Sequence, residues 1–177
     1  MQKRTINFLF NNSYLSVLKI FFDKSKDLSY KEIQKQTKQS KVTLLTVLES
    51  LCNCNLISKE KKGNAYFYSV IESEAYFLLK KAYFIFLFAT LLKDLKTKEL
   101  EIYLFGSYAK GTSDKHSDID LFIVTKNRNL IWGVESKFKM LNLPLNIICK
   151  TPLEYASMIK KNPAFYKELE KNKVRLL

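Results

Sequence analysis

The chain has 177 residues, with 30 Lys plus Arg against 17 Asp plus Glu for a formal charge of +13, and it is 47% apolar and 14% aromatic. That length allows one large domain or two small ones, and the apolar fraction excludes wholesale disorder despite the charge. The charge excludes nothing about fold, but it draws polyanions: nucleic acid, nucleotides or an acidic membrane surface.

Met1–Phe10 has two basic residues, a short apolar stretch and no small-residue cleavage site, so it does not read as a signal peptide. Tyr14–Phe22 predicts a helix, with Leu15, Leu18, Phe21 and Phe22 spaced for one face. Ser29-Tyr30-Lys31-Glu32 is a capping-box sequence that starts a second helix reaching about Thr37. Ser40 caps a third, whose apolar positions are Val42, Leu44, Leu45, Val47, Leu48 and Leu51, and Asn55 ends it. Leu56–Glu60 and Ala65–Val70 flank Lys62-Gly63-Asn64, a hairpin signal. The cysteines Cys52, Cys54 and Cys149 are odd in number, split, and without a CxxC pair. They read as free thiols, those near residue 52 as small core residues, in a reducing cytoplasm.

Three helices followed by a hairpin is the winged helix-turn-helix order, and Leu28–Val70 resembles the winged-helix DNA-binding domains of prokaryotic regulators. The resemblance implies that the Ser40–Cys52 helix enters the major groove with Lys41, Thr43 and Thr46 toward DNA. It places Lys59, Lys61 and Lys62 on the wing against phosphates. A small helical packing module with merely solvated lysines is the bland alternative. Residues 1–71 carry a net +7 and residues 72–177 a net +6, so the excess is denser in the first part.

Glu72–Thr97 has helix-forming composition, no glycine or proline, and apolar residues on almost every face, so burial is expected. It reads as a linker helix between two domains, as a homodimer interface, or as both. Its most apolar run, Ala82–Leu92, is about half the length that spans a bilayer, and no transmembrane segment is read.

Leu100–Phe105 is a strand candidate that runs into Gly106-Ser107; Asp118-Ile119-Asp120 then opens a second apolar run, Leu121–Val124. Alternation along a strand puts Asp118 and Asp120 on one face and Ile119 and Leu121 on the other. Two carboxylates so placed repel unless a cation joins them, and a hard divalent ion such as Mg²⁺ suits their oxygens. Gly106 lets the backbone approach a ligand, and Ser107 offers a hydroxyl and an N–H beside a short helix over Tyr108–Lys110. A phosphate cradle beside paired carboxylates is what nucleoside triphosphate chemistry requires.

Phe105–Gly111 followed by Ser117–Leu121 resembles the signature of the DNA polymerase beta-like nucleotidyltransferase superfamily, in its minimal prokaryotic form. The resemblance implies that Gly106 and Ser107 hold the triphosphate, that Lys110 adds charge to it, and that Asp118 and Asp120 bind two Mg²⁺ ions and carry catalysis. The family's third carboxylate falls at Asn146, which can neither act as a base nor carry charge. Three alternatives stand: a shifted alignment, substitution by Asp114 or Glu135, or nucleotide binding with impaired transfer. His116, the sole histidine, reads as a solvated loop residue, Ser113 and Ser117 as turn and cap residues, and Trp132 as core. Thr151-Pro152-Leu153-Glu154 starts a helix, and Asn162-Pro163 starts another that ends near an apolar tail, Val174–Leu177.

The expected fold is therefore α+β in two domains: a winged helix over 1–71, a linker helix over 72–97, and a nucleotidyltransferase-like domain with a small mixed sheet over 98–177. The expected function is Mg²⁺-dependent transfer of a nucleoside monophosphate from a nucleoside triphosphate to an acceptor hydroxyl, with DNA as a further partner. The rival is a DNA-binding regulator or antitoxin-like protein whose second domain binds nucleotide without transferring it.

Overall fold

The computed structural model describes residues 12–22, 27–95 and 97–177; the reading of Met1–Phe10 lies outside them. The chain divides into two compact units, Met1–Tyr76 and Phe77–Leu177.

In the first unit, α1 (Asn12–Ile20) is followed by β1 (Leu28–Ser29), α2 (Tyr30–Thr37), α3 (Lys41–Asn53), β2 (Ile57–Lys62) and β3 (Ala65–Val70). Ser29 forms the full capping box with Glu32, and Ser40 Oγ accepts the Thr43 N–H, so both helix starts lie where the sequence predicts. Asn55 takes the left-handed conformation (φ 55°) just beyond α3. The hairpin β2–β3 is joined by β1, which pairs Leu28 with Tyr68, in a three-stranded antiparallel sheet. That two-residue strand is too short to leave a pattern in the sequence. Val17, Leu18, Phe21, Ile33, Leu44, Val47, Leu48 and Leu51 are buried together with Leu56, Ile57, Tyr68 and Tyr76. Val42 and Leu45, by contrast, are exposed, because α3 turns only its 44–47–48–51 stripe inward. Cys54 is exposed beyond the end of α3, while Cys52 and Cys149 are half-buried; all three are free thiols.

The helix read over 72–97 is observed as α4 (Glu74–Leu92) with a single 3₁₀ turn over Lys93–Leu95. It is not buried all round: Phe88 and Leu92 lie in the second unit's core, but Leu78 is 56% and Phe86 70% exposed. Lys80, within the same helix, is buried and donates from Nζ to the Ser113 carbonyl. Among the described residues, 74–95 is the one helical stretch long and apolar enough to cross a membrane by length and composition.

The second unit continues with β4 (Leu100–Phe105), α5 (Gly106–Lys110), β5 (Ile119–Thr125), α6 (Asn129–Lys139), β6 (Leu145–Lys150), α7 (Pro152–Lys161), α8 (Pro163–Asn172) and β7 (Val174–Arg175). The mixed sheet runs in the order β6-β5-β4-β7, with β5–β6 parallel and the other pairs antiparallel. The apolar tail is an edge strand, since Tyr103 and Leu104 pair with Arg175 and Val174. One sheet face presents Ile102, Leu104, Ile119, Leu121 and Ile123 to Phe88, Leu92, Val134 and Phe138. The other presents Tyr103, Phe122 and Val124 to Met158 and Leu169 of α7 and α8. Trp132, expected in the core, is 78% exposed, because α6 packs through Val134 and Phe138 instead.

Candidate functional site

Register across the sheet assembles the site. Asp120 lies opposite Phe105 on one neighbouring strand and opposite Asn146 on the other. It shares the sheet face of Phe122 and Val124 but sits at the strand's start, where it is only half-buried, and Asp118 just before the strand is exposed. Ile119 and Leu121 between and beyond them are fully buried, as alternation requires.

Gly106 follows β4 directly with φ +69°, and a Cβ built there would stand 2.1 Å from Asp120 Oδ2. A side chain at this position would have to displace the Asp120 carboxylate, so the glycine backbone and that carboxylate are packed against each other. The other carboxylate oxygen, Oδ1, accepts a hydrogen bond of 3.0 Å from Asn146 Nδ2. The structure thus sets Asn146 directly beside Asp120, opposite it on the parallel neighbouring strand. Asp114 is engaged elsewhere, and among the described residues no three of His, Cys, Asp and Glu gather into a group that could hold a metal.

The connection from α5 to Asp118 is tightly built. Gly111 takes φ +78°, and a Cβ there would meet the Phe77 carbonyl oxygen at 2.2 Å, so the chain passes directly over α4. Ser113 is buried and held by Lys80, while its own Oγ has no hydrogen-bond partner. Asp114 Oδ1 then accepts from the His116 N–H (2.9 Å) and the Ser117 hydroxyl (3.0 Å), which closes the turn before Asp118. The His116 amide, then the Ser117 hydroxyl, hold the Asp114 carboxyl below the usual carboxylate range. His116 itself is exposed in this loop.

Lys110, at the end of α5, pairs with Glu168 of α8 at 2.9 Å. The lysine holds the Glu168 carboxyl below its ordinary value. Ser107 is half-buried, and its carbonyl accepts from the Thr112 N–H at 3.0 Å. Glu168 and Lys80 were not visible as site-supporting residues in the sequence. Glu168 lies 58 positions from its partner, while Lys80 left a trace as a charge at the edge of an apolar run.

In the first unit, Lys41, Thr43 and Thr46 are exposed at the start of α3, and Lys59, Lys61 and Lys62 are exposed on β2. Lys59 Nζ stands 4.2 Å over the Tyr66 ring. Lys62 is committed to Asp27 and to Glu60 at 3.2 Å, and the hydrogen bond to Asp27 raises its pKa.

No curated protein sequence matches the chain. Among solved structures it is similar to a toxin–antitoxin crystallised with AMP-PNP, at 23% identity over 50% of this chain and 68% of that chain, TM-score 0.35. It is also similar to a mutant of the toxin–antitoxin MntA–HpeT, at 20% identity over 52% of this chain and 72% of that chain, TM-score 0.37. Family models resolve the two halves: residues 12–86 match the penicillinase repressor and residues 88–175 the nucleotidyltransferase domain. Residues 88–175 therefore form a nucleotidyltransferase domain, preceded over residues 12–86 by a winged-helix domain of the penicillinase repressor type.

Proposed function

We propose that the chain is a Mg²⁺-dependent nucleotidyltransferase that moves a nucleoside monophosphate from a nucleoside triphosphate to an acceptor hydroxyl, and that its winged helix binds DNA. The observation that carries the transferase reading is the packing of the Gly106 backbone against the Asp120 carboxylate, with Asp118 two residues earlier and exposed just before the strand. The donor set suits a hard cation that is bound jointly by carboxylates and by substrate phosphates. Asp118 and Asp120 would hold the metal, and Asn146 would offer an amide oxygen after rotation where a second ion expects charge. A Mg²⁺ ion held there would supply neutralising charge to the phosphates and to the leaving pyrophosphate. Gly106 gives the triphosphate close backbone approach, Ser107 offers its hydroxyl, and Lys110 reaches phosphate once it leaves Glu168. Labelled nucleoside triphosphates supplied with Mg²⁺ and cell extract test this reading, with Asp118→Asn and Asp120→Asn as controls. Label that never leaves the nucleotide overturns it.

Asn146 donates to Asp120 Oδ1, so the group at the third position cannot take a proton from the acceptor hydroxyl. On a second reading the chain therefore binds nucleotide without transferring it and acts as a DNA-binding regulator or antitoxin-like protein. Nucleotide binding without label transfer supports it.

For the first unit, exposed Lys41, Lys59 and Lys61 on a domain that matches the penicillinase repressor support DNA contact. Duplex affinity should fall steeply between about 50 and 200 mM salt, and a flat response sinks the DNA reading. A homodimer through the 72–97 helix completes the proposal, supported by exposed Leu78 and Phe86 on α4. Free thiols at all three cysteines support a reducing, cytoplasmic setting. Sedimentation velocity of wild type and Phe86→Ser tests the dimer, which a monomeric wild type refutes.

A further inference from the structure

The exposed side of α3 is less polar than a base-reading surface usually is. Val42 is 77% and Leu45 42% exposed, and at spacing i, i+3 they are neighbours on the helix surface. The two threonines that flank them have their hydroxyls engaged within the helix. Thr43 Oγ1 bonds Ser40 Oγ at 2.8 Å, and Thr46 Oγ1 donates to the Val42 carbonyl at 3.0 Å. Between Lys41 and Cys52 the helix carries no Arg, Asn or Gln, and its first acid is Glu49. Bidentate readout of guanine by Arg, or of adenine by Asn or Gln, is therefore not available to it, and Lys41 at its first position is the one side chain in that stretch suited to a guanine edge. The charge of the unit nonetheless selects a polyanion: exposed Lys38 and Lys41 bracket the start of α3, and Lys59 and Lys61 stand exposed on β2.

A polyanion that also offers small apolar groups at the depth of a groove is duplex DNA, whose thymines present C5-methyl groups in the major groove. RNA lacks that methyl, and its A-form major groove is too narrow for the helix. We propose that α3 selects thymine, with Val42 and Leu45 packed on C5-methyl groups while the surrounding lysines neutralise phosphates. The inference rests on the DNA reading above and gives it a base preference: T·A pairs are selected by apolar contact at Val42 and Leu45.

The experiment starts from a randomised duplex library selected on the full chain. The selected duplex is then remade with uracil in place of thymine, which deletes only the C5-methyl group. Wild type should enrich thymine at adjacent positions and bind the uracil duplex about fourfold more weakly for each methyl group lost. Val42→Ser, an exposed substitution, should bind both duplexes alike while keeping the wild-type salt dependence. A selected site without thymine preference, or equal affinity for the uracil duplex in wild type, overturns the inference and leaves DNA binding intact. No selected duplex at any salt concentration overturns both. If Val42→Ser changes the sedimenting mass but not duplex affinity, the surface is a protein interface and the inference fails.

Discussion

Replacing Asn146 by Asp asks directly what the missing carboxylate does. The Asn146 amide nitrogen stands 3.0 Å from Asp120 Oδ1 and stabilises it with an N–H donor. Asn146→Asp deletes that donor and sets a second carboxylate in its place. At that separation two unit charges repel by about 1.4 kcal/mol at the dielectric of water and about 5.5 kcal/mol at an effective value of 20. Position 146 is exposed, so the lower figure applies. Without divalent cation the variant should therefore melt roughly 5–10 °C lower than wild type. Saturating Mg²⁺ should restore the melting temperature, because the cation turns the repulsion into shared ligation. A carboxylate also provides the proton acceptor the site lacks, and positioned bases contribute about 10²–10⁴-fold to rate. Label incorporation from nucleoside triphosphate should rise by at least about 10²-fold over wild type. Paired melts in chelator and in Mg²⁺, read beside the incorporation assay, check both halves. A variant with no Mg²⁺-dependent melting shift and no gain in incorporation refutes the reasoning.

Other perturbations probe the same geometry. Gly106→Ala strains a left-handed backbone by about 1–2 kcal/mol and drives a methyl group onto Asp120, so nucleotide should no longer raise the melting temperature. Gly63→Ala serves as its control, since it has the same backbone hand with open space around it and should leave nucleotide binding unchanged. Glu168→Gln removes the charge that holds Lys110, and titration with a fluorescent triphosphate analogue should show tighter binding than wild type. Burial and then the hydrogen bond to Glu101 push the Tyr103 phenol up to about 12. The neutral phenol therefore contributes stability that is complete below the ordinary tyrosine value near 10 and is lost as pH rises toward about 12. Burial also raises Tyr68, Tyr108 and Tyr155, so absorbance titration at alkaline pH should show several late-ionising tyrosines, among which Tyr103→Phe removes the step near 12.

Most of the local architecture was legible because it depends on short-range rules. Capping residues Ser29, Ser40 and Thr151 announce their helices, Gly63 announces the hairpin, and alternation around Ile119 announces the carboxylate pair. What the sequence concealed depends on partners distant along the chain. β1 exists because Leu28 meets Tyr68, and β7 because Val174 meets Leu104. Apolar identity alone did not say which side of a helix faces inward, so Trp132 and Val42 lie outside while Lys80 lies inside. At the site, the glycine, the Asp pair and the Asn146 departure were readable as residue types at intervals. That Asn146 touches Asp120, and that Glu168 holds Lys110, needed the register of β5 on β6 and the placement of α8.

The central claim is that Asp118 and Asp120 serve nucleotide transfer. Its most direct test is incubation of the full chain with each α-labelled nucleoside triphosphate, Mg²⁺ and cell extract, followed by separation of labelled macromolecules from free nucleotide. Wild type should place label on an acceptor, and neither Asp118→Asn nor Asp120→Asn should. Absence of label with wild type, or label that persists in both variants, contradicts it.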